Sequence, residues 1–208
     1  MKSCAIFSGG VIKNLSSIDI THLKDYLIIC ADAGYLYAKK LGIKTDIIVG
    51  DFDTLGYIPK DVDKVIRHIP EKDDTDTMLA IKTALDNDCK YIEIYGALGG
   101  RLDHTFANIQ ALSYIKSYGA EGKIISDNEI IMLICNEKIT LHKRQGYSLS
   151  LFSYTDKCIG VTETGVKYPL SDYTLTSDFP LGISNEIIED FAQISVKCGK
   201  ILIIQSKI

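Results

Sequence analysis

Short, unbroken apolar runs recur through the first 126 residues, and helical patterns lie between them. The runs are 3–7, 26–31, 46–49, 64–69, 91–95 and 123–126. Runs this short and this continuous suit strands covered on both faces. Between them, 34–41 reads as a short helix that Gly42 stops. A second helix is expected over 75–87, with Met78, Ile81 and Leu85 on one face and Asp74 or Thr75 as its cap. A third is expected over 103–118, packing through Phe106, Ile109 and Leu112 and ending at Gly119. Strands alternating with helices predict a doubly wound, mostly parallel α/β domain.

The pattern changes near Asp127-Asn128. From Glu129 onward no amphipathic helix is evident, and β-rich pieces follow at 130–134, 138–142, 147–154, 166–175, 191–198 and 200–205, punctuated by glycines. That spacing predicts a β-sandwich. Two domains are therefore expected, 1–128 and 129–208.

Bulk properties narrow the class. A formal net charge of −4 offers no basic face for a phosphate backbone, so no nucleic-acid partner is expected. No run approaches the ~18 apolar residues of a membrane helix, and the apolar stretch after Lys2 is too short for a signal peptide. The six cysteines form no Cys-x-x-Cys pair, and they are read as reduced thiols of a cytoplasmic protein.

Acidic and glycine-rich segments fall at the ends of the expected strands, where open α/β sheets bind ligands. Gly50-Asp51-Phe52-Asp53 follows the apolar run ending at Val49. Two carboxylates at i and i+2 can share a hard cation such as Mg²⁺, which takes one or two carboxylates together with water and phosphate oxygens. Lys72-Asp73-Asp74-Thr75-Asp76 opens a helix. Capping explains one or two of its aspartates, and a nearby cation would relieve the repulsion of all three. Asp76 could then join Asp51 and Asp53 at the metal, with Lys72 and Thr75 meeting phosphate.

A third segment, Gly96-Ala97-Leu98-Gly99-Gly100-Arg101-Leu102-Asp103-His104, lies between a strand and a helix. Gly99 and Gly100 let backbone approach an anion, and Arg101 is a natural phosphate partner. A plain turn with Asp103 as cap remains an alternative. Asp32 ends the second run and is read either as a contact to ribose or another polar group, or as a helix cap. Ser8-Gly9-Gly10 offers backbone donors to phosphate. His22, His68 and His142 stand apart and are read as packing or surface residues. There is no Gly-x4-Gly-Lys-[Ser/Thr] loop, no Gly-x-Gly-x-x-Gly and no Gly-x-Ser-x-Gly elbow.

Five segments together resemble the thiamine pyrophosphokinase family, bacterial type. They are Ala31-Asp32-Ala33-Gly34, Gly50-Asp51-Phe52-Asp53-Thr54, the segment from Lys72 to Thr77, the segment from Gly96 to His104 with Asn108, and Gly182-Ile183-Ser184-Asn185-Glu186. The resemblance spans almost the whole chain. It implies an α/β domain followed by a β-sandwich, and an enzyme converting ATP and thiamine to AMP and thiamine diphosphate. It implies Asp51, Asp53 and Asp76 as metal ligands, and Lys72, Thr75 and Arg101 as phosphate or nucleotide contacts. Asp32, Asp74, Gly99, Gly100 and His104 join the nucleotide site. Asp103 resembles the carboxylate that meets thiamine, and Asp103 or Asp74 would accept or orient the hydroxyl proton. Ser184 and Asn185 resemble the sandwich residues that meet thiamine from the second subunit of a homodimer. Animal and fungal members place a tryptophan against thiamine, whereas this sequence has no Trp. A diphosphokinase for another alcohol, such as a hydroxymethyl pterin, and a non-catalytic nucleotide- or thiamine-binding protein are the alternatives.

Overall fold

The computed structural model describes residues 1–67 and 74–208. Two compact units divide the chain, Met1–Asp127 and Asn128–Ile208. The first runs β1 (Lys2–Phe7), β2 (Leu27–Ala31), α1 (Tyr35–Lys40), β3 (Ile47–Gly50), β4 (Lys64–Arg67), α2 (Asp76–Asp86), β5 (Cys89–Tyr95), α3 (Leu102–Ser117) and β6 (Glu121–Ile125). Residues 68 and 69 of the fourth expected strand, together with Lys72 and Asp73, lie outside the described residues.

Within this unit the strand order is β6-β5-β1-β2-β3-β4, and every pairing is parallel. The chain moves outward from β1 to β4 and then returns to the other side of β1 with β5. The order therefore reverses between β1 and β5, and ligand crevices of open sheets open at such a point. Cys4 to Phe7, Ile29, Cys30, Ile48, Val49, Ile92, Ile94 and Tyr95 are fully buried, as strands covered on both faces require. One core cluster gathers Phe7, Cys30, Tyr35, Ala38, Ile48, Phe52 and Tyr95.

Both long helices differ in detail from their expected faces. In α2 the buried residues are Ala80, Ile81, Thr83 and Ala84, while Met78 and Leu85 are half-buried. In α3 the buried stripe is Ala111, Leu112 and Ile115, and Phe106 is 60% exposed. Its first turns line an open cavity through His104, Thr105 and Asn108, and full burial starts at Ala111.

The second unit contains β7 (Glu129–Cys135), β8 (Lys138–His142), β9 (Tyr147–Ser153), β10 (Lys157–Thr164), β11 (Leu170–Thr176), β12 (Gly182–Asn185), β13 (Phe191–Ser195) and β14 (Lys200–Lys207). Antiparallel strands β12-β9-β14-β7 and β11-β10-β13-β8 form its two layers. Met132, Ile134, Leu149, Leu151, Ile201 and Ile203 from one layer meet Cys158, Val161, Leu175, Ala192 and Ile194 from the other. The architecture is a parallel α/β unit followed by a β-sandwich.

The expected strand at 166–175 holds from Leu170 onward, where β11 begins, while 166–169 lies outside it. Lys157–Thr164 is a strand that patterning missed. A register irregularity between Cys158 and Val161, around Gly160, breaks the alternation of β10. Polar Thr162, Glu163 and Thr164 then hide what remains of its apolar signal.

Candidate active site

The loops after β1 and β5 close on each other at backbone distance. Ser8 N–H donates to the Tyr95 carbonyl (2.8 Å) and Gly10 N–H to the Gly96 carbonyl (2.8 Å). A Cβ at Gly10 would stand 2.3 Å from the Gly96 oxygen, and one at Gly96, where φ is +67°, 2.3 Å from the Ser8 oxygen. Only glycine fits at either position. Side chains brace the same loops. Tyr37 of α1 donates its hydroxyl to the Gly10 carbonyl (2.8 Å) and accepts from Ile12 N–H (3.3 Å). Thr77 donates to the Ser8 hydroxyl (3.0 Å), and Asn108 donates its amide to the Ala97 carbonyl (2.8 Å).

An acidic cluster forms at the ends of β2 and β3. One carboxylate oxygen from each of Asp32, Asp51 and Asp53 lies within 4.8 Å of the others. Phe52 explains how the two outer residues of the Asp-x-Asp segment are presented. Its ring is buried in the core with a backbone φ of 66°, which leaves Asp51 and Asp53 on the loop's outer side. Asp51 accepts from Asp53 N–H (3.1 Å) and so tightens the turn.

Asp32 sits in the short 3-10 turn Asp32–Gly34 at a φ of 41°, only 6% exposed, and its Oδ1 has no hydrogen-bond partner among the described residues. The capping alternative for Asp32 is corrected, because the cap position of α1 is Gly34 and that of the 3-10 turn is Ala31. A buried carboxylate on left-handed backbone, with an unpartnered oxygen, is costly unless something binds it. Asp76 reaches the same corner from α2. A Cβ at Gly50 would lie 3.4 Å from Asp76 Oδ1 and 3.2 Å from Asp32 Cβ, so Gly50 keeps the space between them open.

These elements line one cavity of about 490 Å³. Ser8, Gly9, Gly10, Asp32, Asp51, Asp74, Thr75, Asp76, Gly100, Arg101 and His104 border it, so the structure brings together most of the expected site. Asp53 belongs through the acidic cluster, and Gly99 lies in the turn between β5 and α3. Thr54, Thr77, Thr105 and Asn108 also line it. Sequence reasoning gave Asp32 no part in the metal set, and only the fold places it beside Asp51.

Charge partners define the rest. Thr75 caps α2 by accepting from Met78 N–H (3.2 Å). Lys82 holds both oxygens of Asp74 (2.8 and 2.6 Å). Arg101 occupies the capping position of α3, which corrects the expectation of Asp103 there. Asp103 instead binds Arg101 at two points (3.1 and 2.5 Å) and accepts from His104 N–H (2.9 Å). The Arg101 guanidinium holds the Asp103 carboxyl below the usual carboxylate range.

In the sandwich unit, Ser184 is exposed at a φ of 56° and donates its N–H to the Ser150 hydroxyl (3.1 Å). Asn185 is buried, with its side-chain amide committed to internal hydrogen bonds. Among the histidines read as packing residues, His22 bonds the buried Glu93 (2.7 Å), while His68 lies outside the described residues.

Comparison with known proteins places this arrangement. Residues 21–124 match the family model "Thiamin pyrophosphokinase, catalytic domain", and residues 136–201 match "Thiamin pyrophosphokinase, vitamin B1 binding domain". The chain is 31% identical to the thiamine pyrophosphokinase of Bacillus subtilis (strain 168) over 214 residues, covering 99% of each protein. A crystal structure of Bacillus subtilis thiamine pyrophosphokinase superposes with a TM-score of 0.87 at 27% identity, covering 100% of both chains. That of Geobacillus thermodenitrificans thiamin pyrophosphokinase superposes with a TM-score of 0.86 at 25% identity, covering 99% of this chain and 98% of that one. The chain belongs to the thiamin pyrophosphokinase family.

Proposed function

We propose that this chain converts thiamine and ATP to thiamine diphosphate and AMP in the cavity at the switch point of its α/β unit. Family membership across the whole chain makes it an ATP-using diphosphotransferase and does not favour a pterin alcohol as acceptor. The observation that carries the site assignment is the acidic cluster of Asp32, Asp51 and Asp53 beside the glycine-closed loops after β1 and β5.

A divalent cation fits this cluster. Three carboxylates converge, Asp32 carries a buried oxygen without a partner, and no ion pair engages the three residues, all among the residues described. Asp51 and Asp53 would hold Mg²⁺, with Asp32 and Asp76 beside them. When bound, the ion neutralises phosphate charge and aligns the triphosphate.

The chain's own groups do the positioning, which is most of what such a transfer needs. Arg101, oriented by Asp103, faces phosphate. Thr75, Gly99, Gly100 and His104 complete the nucleotide contacts, and Lys72 is assigned to phosphate from the sequence alone. The hydroxyl oxygen of thiamine forms a bond to the β-phosphorus. The bond from that phosphorus to the α–β bridging oxygen breaks, and AMP leaves with the oxygen. Asp74 and Asp103 are each held at two points by a cation, so they orient the hydroxyl and leave its proton to solvent.

On this reading residues 1–128 bind nucleotide and metal, and residues 129–208 bind thiamine through Ser184 and form a homodimer. Apolar side chains exposed at Leu102 and Phe106 on α3, and at Phe179 and Ile183 in the sandwich unit, are surfaces that a second copy would cover. Six unpaired thiols suit the reducing cytoplasm, where ATP and Mg²⁺ are both at hand.

Turnover measured with and without Mg²⁺, for the wild type and for Asp76→Asn, tests the site. The expected result is Mg²⁺-dependent AMP formation that Asp76→Asn loses while its circular dichroism spectrum is unchanged. Wild-type turnover by that variant would refute the assignment of Asp76.

A further inference from the structure

Asn185 ends β12, which pairs with β9 through Gly182 opposite Leu151 and Asn185 opposite Leu149, with an irregularity between them. Its side chain makes four hydrogen bonds. Oδ1 accepts from the backbone N–H of Tyr168 (3.0 Å) and of Glu186 (2.9 Å). Nδ2 donates to the Tyr168 carbonyl (2.9 Å) and to Glu163 Oε2 (3.2 Å). Two donors and two acceptor sites are all that an amide has. The flipped orientation would set N–H against N–H, so the assignment is fixed. Nothing on this amide is left to meet a ligand.

What the amide does instead is local. By pairing with both backbone groups of Tyr168 it continues the contact between 166–168 and 185–187, where Val166 bridges Ile187 and Lys167 N–H donates to the Glu186 carbonyl (2.9 Å). It thereby fixes the chain that directly follows Ser184, whose left-handed backbone needs such support.

Glu163 anchors the amide in turn. It lies in β10 between Leu170 of β11 and Ile194 of β13, is 1% exposed, and uses Oε2 for Asn185 while Oε1 has no partner among the described residues. Both residues line a cavity of about 240 Å³ with Tyr168, Leu181, Gly182 and Ile183. Burial pushes the Glu163 carboxyl up to about 7. An acid kept at this cost in an apolar layer serves geometry.

We infer that Glu163 and Asn185 are positioning residues for thiamine: the Glu163 carboxylate holds the Asn185 amide, which holds Ser184 and the Gly182–Ile183 backbone in their substrate-binding shape without touching substrate. This rests on reading the Gly182–Asn185 segment as the one that meets thiamine.

The test is steady-state kinetics of the full-length protein, varying thiamine and ATP separately, for wild type, Glu163→Leu and Glu163→Gln. Leucine removes the anchor but suits the apolar surroundings. Glu163→Leu is expected to raise the thiamine KM on the order of 3- to 10-fold, the worth of one lost hydrogen bond. Its kcat, ATP KM and melting temperature are expected to stay near wild type. Glu163→Gln keeps an acceptor for Nδ2 and is expected to restore the thiamine KM. A merely structural role would lower the melting temperature and the active fraction with KM unmoved, and that result would overturn the inference. A thiamine KM in Glu163→Leu equal to wild type would overturn it as well. Failure of the wild type itself to release AMP with thiamine would instead overturn the reading of the segment beneath it.

Discussion

Gly10 and Gly96 face each other with their backbones 2.8 Å apart, N–H to carbonyl, across the point where the strand order of the parallel sheet reverses. The contact leaves no room for side chains and brings the loops after β1 and β5 together as one wall of the cavity. Gly10→Ala would push a methyl group to 2.3 Å from the Gly96 oxygen. The expected result is a loss of roughly 1–3 kcal/mol in stability and at least a tenfold fall in kcat/KM for ATP. Chemical denaturation and initial-rate kinetics on one preparation check both.

Tyr37 supports the same wall from outside the cavity through its hydroxyl bonds to Gly10 and Ile12. Tyr37→Phe removes those bonds and little else. It is expected to cost about 1 kcal/mol of stability and to raise the ATP KM a few-fold with the thiamine KM unchanged. Equal effects on both substrates would contradict a local role.

The acidic cluster predicts a metal-linked stability. A cation that binds only the folded state raises its stability by about 2.7 kcal/mol at a hundredfold excess over Kd. The melting temperature of the wild type is expected to rise with Mg²⁺. In Asp51→Asn and Asp32→Asn the rise is expected to vanish, and activity to fall by ~100-fold or more, about 2.7 kcal/mol in the barrier. Differential scanning fluorimetry across a Mg²⁺ series reads this without any turnover.

Arg101 and Asp103 form an exposed pair, so their value lies in orientation and not in folding. Arg101→Lys keeps the charge and loses the planar fork. It is expected to leave the melting temperature unchanged and to reduce kcat/KM on the order of tenfold. A stability loss with normal kinetics would invert the account.

Glu163 predicts a pH dependence of stability with a definite sign. Burial raises its folded-state pKa from 4.5 to about 7, and no charged neighbour contributes to the shift. The folded state holds the proton more tightly, so the stabilisation is fully present below about pH 4.5 and is lost as pH rises through about 7. The loss is on the order of 3 kcal/mol. Urea unfolding at pH 5.5 and pH 8 is expected to show this decline in the wild type and a flatter profile in Glu163→Gln. Parallel profiles would exclude it.

Much of this fold was legible because its physics is local. Six apolar runs gave the six parallel strands, since a strand buried on both faces needs nothing but apolar residues. Lys157–Thr164 was not legible, because the irregularity at Gly160 shifts its alternation and Glu163 is buried where a polar residue reads as exposed. Phe106 misled for the converse reason: helical spacing places it on an apolar face, and only tertiary structure shows that this end of the face is exposed. In the site, Asp51 and Asp53 were visible as a spaced pair. Asp32 joins them through the parallel register of β2 and β3, which pairs Ala31 with Val49. That is a long-range fact no local pattern holds. Tyr37 escaped notice because its role is a hydroxyl bond to a loop 27 residues away.

The central claim is transfer of two phosphates as a unit to the hydroxyl of thiamine. Pure protein incubated with ATP, Mg²⁺ and thiamine, followed by chromatographic separation of nucleotides and thiamine species, tests it most directly. AMP and thiamine diphosphate in equal amounts, formed only when thiamine is present, is the predicted result. ADP with thiamine monophosphate, or no thiamine-dependent AMP at all, would contradict it.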